Sequence, residues 1–442
     1  MIKVITYGTY DLFHYGHQRL LERAKELGDY LIVGVTADDF DKQRGKINVN
    51  QSLMERIESI RATGLADEII IEEYEGQKID DIKRMDVDIF TVGSDWVGHF
   101  DYLKDYCDVV YLDRTEGVSS SQIRSKNRRI NLGLIGEGIV LKKFFDESKF
   151  VNGIDVNAIF VDNEDEKRYY ENENLTLVDN YDDLLSIVDA VFIISHPSKH
   201  YSQIKKALNQ NKHVLCDSPF SLNENECVEL EKLAMENDLI LMDSIKTAYS
   251  TAYNRLLLLL KGGNIGDVHS IDATCTSLRD YDNSSRNSIT TWAPTALLPI
   301  FQILGVNYKD KTINSLISED KPNFDLFTKI DFRYENAVAS IKVANGVKSE
   351  GELIISGSEG YAYVPAPWWK TDYFELRYEN QEDNRKYFYQ LDGEGIRYEL
   401  VAFAKSIELG KNNAYIDFEV SKAICKIMED FENNDFNIIK KC

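Results

Sequence analysis

The chain has 442 residues, a formal net charge of −23, 43% hydrophobic and 28% charged residues. Such a length exceeds one hydrophobic core and predicts two or three domains of an ordinary globular protein. The acidity excludes a general nucleic-acid binder, which needs a basic footprint, so any basic residues that handle an anion must be concentrated locally. Cys107, Cys216, Cys227, Cys275, Cys425 and Cys442 form no C-x-x-C pair. That pattern fits reduced thiols in a cytoplasm, not a disulfide frame or a zinc site. A strand pattern begins at once, so no signal peptide is expected. The longest apolar run in a helical context, Leu256 to Leu260, is too short for a bilayer.

The first predicted element is an apolar strand, Ile2 to Tyr7. It turns through Gly8-Thr9-Tyr10-Asp11 and presents His14-Tyr15-Gly16-His17 at the mouth of an amphipathic helix carrying Leu20, Leu21 and Ala24. A strand feeding a helix start is a ready anion site, because the first N–H groups of the helix lack internal partners and its dipole favours negative charge. Two imidazoles with a glycine between them let a phosphate approach the backbone. A second buried strand follows in DYLIVGVT, and helix patterns then alternate with EIIIEEY, DIFTVGSDW and VVYLDRTEG. That alternation predicts a parallel sheet covered by helices, an α/β fold. Ligands bind at the carboxyl ends of such strands. Three strand exits carry polar signatures: the histidine pair, Gly93-Ser94-Asp95-Trp96, and Arg114 onward. They should converge on one crevice.

After the basic stretch Arg124 to Arg129 comes NLGLIGEGIVLKKFFDE. A strand, then Gly133-x-x-Gly136-x-Gly138, then a helix is the dinucleotide-binding arrangement. Further strand and helix patterns follow in NAIFVDN, DAVFIISHPSKHYSQIKKAL and NKHVLCDSPFSLNENECVELEKLA. From about residue 245 the strands, such as HSIDATCTS and KIDFRYENAVASIKVAN, have period-two character.

His14-Tyr15-Gly16-His17 and Arg114-Thr115-Glu116-Gly117-Val118-Ser119-Ser120-Ser121 each occur once, in order. The pair resembles the two motifs of the cytidylyltransferase-type nucleotidyltransferases, in particular those acting on glycerol 3-phosphate, over residues 1 to 127. The resemblance implies attack of a phosphomonoester oxygen on the α-phosphorus of CTP, with release of pyrophosphate. It implies His14, His17, Arg114 and Lys46 as catalytic residues, His17 foremost at the transition state. Gly8, Thr9, Tyr10, Asp11 and Gly16 would hold the nucleotide, Asp95 and Trp96 would line its pocket, and Arg114 with Ser119, Ser120 and Ser121 would clamp the phosphates. Arg44 and Lys46 either contact the acceptor phosphate or form a solvated basic loop. Asp11 would orient the site or hold Mg²⁺ or another divalent cation. The partners implied are CTP and a polyol phosphate, glycerol 3-phosphate by default, with ribitol, arabinitol, mannitol or glucitol phosphates open. A homodimer at least is implied, and so is service to a bacterial capsule or teichoic-acid-like polymer. One departure is that an arginine expected before LADEI falls at Gly64, with Arg61 as its substitute.

The second half resembles the Gfo/Idh/MocA oxidoreductases from about 130 to the C-terminus. That implies a second Rossmann-like domain, in which Gly133, Gly136 and Gly138 would meet NAD(P), and then a large, mostly antiparallel sheet. The expected domains are 1–128, 129–245 and 246–442. The family's C-E-K-P reads here Cys216-Asp217-Ser218-Pro219, and its D-x-x-x-H falls at Thr291 and Thr295. A hydroxyl near its free pKa is a poor general acid–base at neutral pH. Lys246 lies near the expected cleft without matching the catalytic lysine, and reads as a structural or anion-binding residue. Three functions are weighed: a cytidylyltransferase with a non-catalytic second half, a bifunctional enzyme that also reduces a keto-sugar phosphate, and a nucleotide-sensing scaffold. The intact motif pair disfavours the scaffold. The three replacements favour the first reading over the second.

Overall fold

The structure is a computed structural model. It describes all residues except 38–48, 50, 52, 75, 114–129, 152, 172, 174, 279–285, 321–323, 390, 413 and 440–442, with the backbone alone at 55, 95, 165 and 392. The chain forms two compact units, Met1–Arg129 and Ile130–Cys442.

In the first unit, β1 (Lys3–Gly8), β2 (Tyr30–Thr36), β3 (Glu68–Glu72), β4 (Ile89–Gly93) and β5 (Asp108–Leu112) form one sheet in the order β3-β2-β1-β4-β5. Every pairing is parallel. Helices α1 (Tyr15–Glu26), α2 (Leu53–Arg61) and α3 (Gln77–Met85) are interleaved with the strands. Successive residues of a strand face opposite sides. Thus Val4 packs with Leu21, Ala24, Ile57 and Ile60 on one face, and Ile5 packs with Ile82, Phe90 and Leu103 on the other. The strand order reverses between β1 and β4, the switch point at which ligands bind in open α/β sheets. Thr6 pairs with Thr91, and Gly93 with Leu112, so the loops leaving β1, β4 and β5 emerge side by side.

The second unit opens with β6 (Ile130–Gly136), β7 (Ile154–Phe160), β8 (Thr176–Leu177), β9 (Ala190–Ile194), β10 (His213–Asp217) and β11 (Leu241–Ser244). These make a parallel sheet in the order β11-β10-β9-β6-β7-β8. Its helices are α4 (Gly138–Ser148), α5 (Glu164–Tyr170), α6 (Tyr181–Ile187), α7 (Pro197–Asn209) and α8 (Glu224–Glu236). After α9 (Thr251–Lys261) come β12 (Val268–Thr276), α10 (Ser288–Leu304), β13 (Asp310–Ile317), β14 (Asp325–Arg333), β15 (Val338–Ala344), β16 (Leu353–Gly357), β17 (Tyr361–Val364), β18 (Tyr373–Arg377) and β19 (Arg385–Phe388). Helices α11 (Ile396–Leu409) and α12 (Phe418–Glu432) and strand β20 (Asn437–Ile439) complete the described elements. The nine-stranded sheet runs β19-β18-β17-β16-β12-β15-β14-β13-β20 and is antiparallel except where β12 meets β15 and β13 meets β20. The strongly apolar α10 buries itself on this sheet, α12 packs on both α8 and α10, and α11 packs on α4. The last helices therefore bind the antiparallel sheet to the Rossmann-like one. No helix among the described residues is long and apolar enough to cross a membrane.

Two carboxyls lie under this seam. Glu399 of α11 is 1% exposed and Asp243 of β11 is 3% exposed, each with one carboxyl oxygen lacking a hydrogen-bond partner. Burial raises Glu399 to about 8, against hydrogen bonding from Ser244, and raises Asp243 to about 7. The folded state thus binds protons that the unfolded chain, with carboxyls near 4, releases. A raised folded pKa stabilises fully below the unfolded value and loses that contribution as pH rises through the folded one. The melting temperature of this unit should therefore fall by several degrees between about pH 5 and pH 9. Thermal melts of Glu399→Gln, which keeps a neutral side chain at every pH, should show a flatter profile over the same range.

Candidate active site

The turn between β1 and α1 is built around two stacked imidazoles. His14 is the N-cap of α1, with extended backbone (φ −138°, ψ 173°), and its Nδ1 accepts the His17 N–H at 3.3 Å. Accepting at Nδ1 leaves the ring proton on Nε2, so His14 keeps an N–H donor there. The rings of His14 and His17 lie 3.8 Å apart at 16°. Behind them, Tyr10 meets His17 edge-on at 5.4 Å and Phe13 lies 5.6 Å away. Tyr10 is 2% exposed, and a side chain at Gly8 would meet its ring at 3.0 Å. Gly8 is therefore required by Tyr10, and Tyr10 supports His17 from within the core.

This loop is held in an unfavourable shape. Tyr10 (φ +54°) and Leu12 (φ +48°) are left-handed without being glycine, at roughly 1–2 kcal/mol each. Gln51 and Arg56 hold it there. The Leu12 N–H donates to Gln51 Oε1 at 2.8 Å, and the Gln51 N–H donates to Asp11 Oδ1 at 3.0 Å. The Arg56 guanidinium, fully buried, donates to the carbonyls of Thr9 at 2.7 Å, Thr36 at 2.8 Å and Gln51 at 3.2 Å. A buried Lys78–Glu72 ion pair lies below, with Thr36 Oγ1 donating to Glu72 at 3.0 Å, so the carboxyl end of β2 is also fixed. Asp11 is buried, and among the described residues no group of three His, Cys, Asp or Glu is placed to hold a metal ion. That donor set suits Mg²⁺ only in its usual manner, through one or two carboxylates plus substrate phosphates.

The neighbouring strand exits lie where the topology demands. Ser94–Trp96 forms a short helical turn after β4, and Trp96, 39% exposed, rests against His99 and Phe100. Arg23 of α1 donates to the Asp113 carbonyl at 2.6 Å, tying α1 to the chain just past β5. The side chain of Asp95 lies outside the described residues, as do Arg44, Lys46, Arg114, Ser119, Ser120 and Ser121. Arg61, the expected substitute, is largely exposed. Its guanidinium pairs with Glu58 on the solvent face of α2. Gly64 itself has φ +66°, a conformation that an arginine would adopt only under strain. Sequence reasoning missed Arg23, Gln51 and Arg56. A signal for the last existed: Leu53, Arg56, Ile57 and Ile60 form one helical stripe, so Arg56 stands on the buried face.

In the second unit, the turn from β6 to α4 keeps two glycines where the backbone needs them. Gly136 (φ +147°) presses on Ile194, and Gly138 has φ +87°. Gly133 differs from the expectation. It lies within β6, where a side chain would press on Leu184 and Val188 at 3.0–3.1 Å, so it serves packing. The G-x-G-x-x-G spacing instead starts at Gly136, and its third place is Leu141, fully buried. The Gly138 N–H, at the start of α4, donates to the Glu166 carboxylate at 2.8 Å. Arg286 spans the ends of β9 and β10, donating to Asp217 at 2.8 Å, to the Ile194 carbonyl at 2.9 Å and to the Ser195 carbonyl. Ser218 donates weakly to Asp243 at 3.3 Å, and Thr291 donates to the Asn287 carbonyl one turn back at 2.7 Å. A dinucleotide pyrophosphate would have to displace Glu166, and Ser218, Thr291 and Thr295 hold no group suited to the proton of a reacting hydroxyl. These residues do not fit a working hydride-transfer site.

A parallel sheet with a histidine pair at its switch point, followed by a Rossmann-like sheet and an antiparallel one, defines a nucleotide-handling α/β enzyme with an added oxidoreductase-type fold. Residues 5–126 match the family model described as Cytidylyltransferase-like, and residues 130–244 match Oxidoreductase family, NAD-binding Rossmann fold. Over 124 residues the chain is 53% identical to a glycerol-3-phosphate cytidylyltransferase of Bacillus spizizenii, covering 28% of this chain and 95% of that protein. Over 129 residues it is 50% identical to the Staphylococcus aureus enzyme of the same name, with the same coverage. The chain belongs to the cytidylyltransferase-like family. It is a CTP-utilising nucleotidyltransferase joined to a Gfo/Idh/MocA-type oxidoreductase domain. Among solved structures, a 3-ketoreductase from Actinomadura kijaniata in complex with NADP and TDP-benzene superposes with a TM-score of 0.63 at 17% identity, covering 71% of this chain and 100% of that one. This likeness is one of fold.

Arg56→Ala should destabilise the first unit by about 3 kcal/mol or more, because buried carbonyls lose their donor at about 1–3 kcal/mol each. Turnover should fall more than tenfold as the 9–12 loop relaxes. Arg56→Lys keeps the charge but loses the planar fork, so turnover should fall with a smaller loss of stability. Urea unfolding and pyrophosphate release measure the two effects.

Proposed function

We propose that the chain transfers CMP from CTP to a polyol phosphate, giving a CDP-polyol and pyrophosphate. The observation that carries this is the stacked His14–His17 pair at the start of α1, on the carboxyl edge of β1. A phosphomonoester oxygen forms the new bond to the α-phosphorus while the bond to pyrophosphate breaks. No covalent intermediate is needed, and catalysis is positioning plus neutralisation of charge. In this reading His17 and the Nε2–H of His14 donate to the charge that develops on phosphate oxygens, reinforced by the N-terminus of α1. Thr9 and Gly16 let the triphosphate approach the backbone. Asp95 and Trp96 border the base, Arg114 and Ser119 to Ser121 close on the phosphates, and Arg44 and Lys46 receive the acceptor. Mg²⁺, held through Asp11, would neutralise triphosphate charge.

Glycerol 3-phosphate is the default acceptor, on the identity to enzymes of that name, and longer polyol phosphates are the alternatives. The role we assign is supply of a CDP-polyol for a bacterial surface polymer, by a homodimer in the cytoplasm, where the five described cysteines, all unpaired, stay reduced. Residues 1–128 form the catalytic domain in this reading. The rest acts without hydride transfer, whether or not it takes up NAD(P).

With Mg²⁺, CTP and polyol phosphates of three to six carbons, at least one acceptor should release pyrophosphate, with CTP preferred over ATP. Turnover with none, by folded protein, refutes the reading. His17→Ala should lower turnover by about a hundredfold or more, with a smaller change in nucleotide affinity. NADH and NADPH absorbance should stay constant with fructose 6-phosphate, ribulose 5-phosphate or dihydroxyacetone phosphate. Oxidation there would instead establish a bifunctional enzyme.

A further inference from the structure

We propose that Lys143, Lys246 and Lys370 of the second unit form a binding site for a phosphomonoester, whose seat the chain fills with its own Glu394. The three lysines come from separate elements: α4, the helical turn Lys246–Tyr249 after β11, and the turn Trp368–Lys370 before β18. All three donate to one carboxylate. Lys143 Nζ reaches Glu394 Oε1 at 2.9 Å, Lys370 Nζ reaches the same oxygen at 2.8 Å, and Lys246 Nζ binds Oε2.

Three ammonium groups face one carboxylate, and the surrounding charges do not make up the difference. Arg397 pairs with Glu147, Arg286 pairs with Asp217, and burial pushes the Glu399 carboxyl up to about 8, toward its neutral form. The surplus of two positive charges matches a phosphate monoester, which carries about −1.5 to −2 at pH 7 and several acceptor oxygens. Burial holds the Lys246 pKa below its ordinary value, with Lys370 and Lys143 adding to the effect against Glu394. Burial also opposes the Glu394 carboxylate, yet hydrogen bonds from Lys246 and Lys370 bring its pKa down to about 2.

The segment that delivers Glu394 is built to be remade. Gly393, Glu394 and Gly395 have φ of +61°, +53° and +94°, so the carboxylate sits on the one non-glycine residue of a left-handed turn. A side chain at Gly395 would lie 2.2 Å from the Lys246 carbonyl, and one at Gly393 would lie 2.6 Å from Glu147. An unfavourable backbone at a cluster of charge is where strain and function coincide. The cluster is also reachable: the side chains of Glu394, Lys246, Lys370 and Lys143 are 26%, 26%, 33% and 42% exposed.

The test is calorimetric titration of the full-length chain with inorganic phosphate at constant ionic strength. Glu394→Gly, which relieves the left-handed residue as it empties the seat, should bind phosphate at least tenfold more tightly than wild type. Adding Lys246→Ala and Lys370→Ala should abolish that gain. The N-terminal site is the same in all three proteins, so the differences report the lysine cluster alone. Equal affinity for wild type and a folded Glu394→Gly overturns the proposal. Glu394→Gln provides the same comparison with the side-chain shape kept. Should both variants melt early, phosphate must raise their melting temperatures above those in potassium chloride of equal ionic strength, and failure to do so overturns it as well.

Discussion

The buried guanidinium of Arg56 is the constraint on which the first unit's chemistry depends. Its fixed fork gathers three carbonyls from the β1–α1 loop, the end of β2 and residue 51. Without it, only the Gln51 bonds to Leu12 and Asp11 would oppose the left-handed strain at Tyr10 and Leu12, and the loop would relax toward an ordinary turn. Tyr10 would then leave the space beneath His17. The histidine stack is thus the visible end of a chain of contacts that begins in the core: guanidinium, loop carbonyl, buried tyrosine, imidazole. An arginine suits this place better than a lysine, since a single ammonium cannot reach divergent carbonyls at fixed angles.

The second unit shares the fold of the oxidoreductase family while three of its residue positions differ from that family's pattern. Hydride transfer needs a group that exchanges a proton with the substrate hydroxyl at neutral pH. Ser218 and Thr291 instead use their hydroxyls within the fold, toward Asp243 and the α10 backbone. Protein groups occupy both ends of the dinucleotide crevice: Glu166 at the start of α4, and Arg286 across the ends of β9 and β10. Each meets an electrostatic need that a ligand would otherwise meet, a carboxylate at a helix N-terminus and a cation over carbonyls and Asp217. Such pairings would have to be broken for a ligand to take their place.

How far the sequence could be read follows from which contacts are local. Parallel strands buried on both faces announce themselves as apolar runs, so the β1, β2 and β4 patterns were legible, whereas the strand order that makes the switch point was not. So were the histidine pair, whose helix-mouth placement follows from a short motif, and the replacement of the proton-handling residues. Gly133 was misjudged because a glycine packed against a helix and a glycine at a phosphate turn look alike in a string. Arg61, expected on the acceptor side from its spacing, pairs one helical turn away with Glu58. Arg56, Arg286 and the Lys–Glu394 cluster were hidden for a common reason. Each joins residues far apart in sequence, and a charged side chain becomes informative only when its burial is known.

Both units meet one electrostatic problem, the stabilisation of negative charge at the carboxyl edge of a parallel sheet within a chain that is strongly acidic overall. In the first, imidazoles and helix N–H groups, individually weak donors, stand at that edge. In the second, the donors near the strand ends are ammonium and guanidinium groups that keep their charge at neutral pH. Unopposed, lysines drawn together in this way would repel one another strongly in a half-buried setting. The fold therefore needs an anion there at all times, and Glu394 provides one from a glycine-flanked turn. A covalently tethered carboxylate is a permanent counterion, but it carries one charge where the lysines present three. The arrangement stabilises the fold and leaves electrostatic attraction for a more highly charged anion, a physical reason for an unfavourable backbone at residue 394.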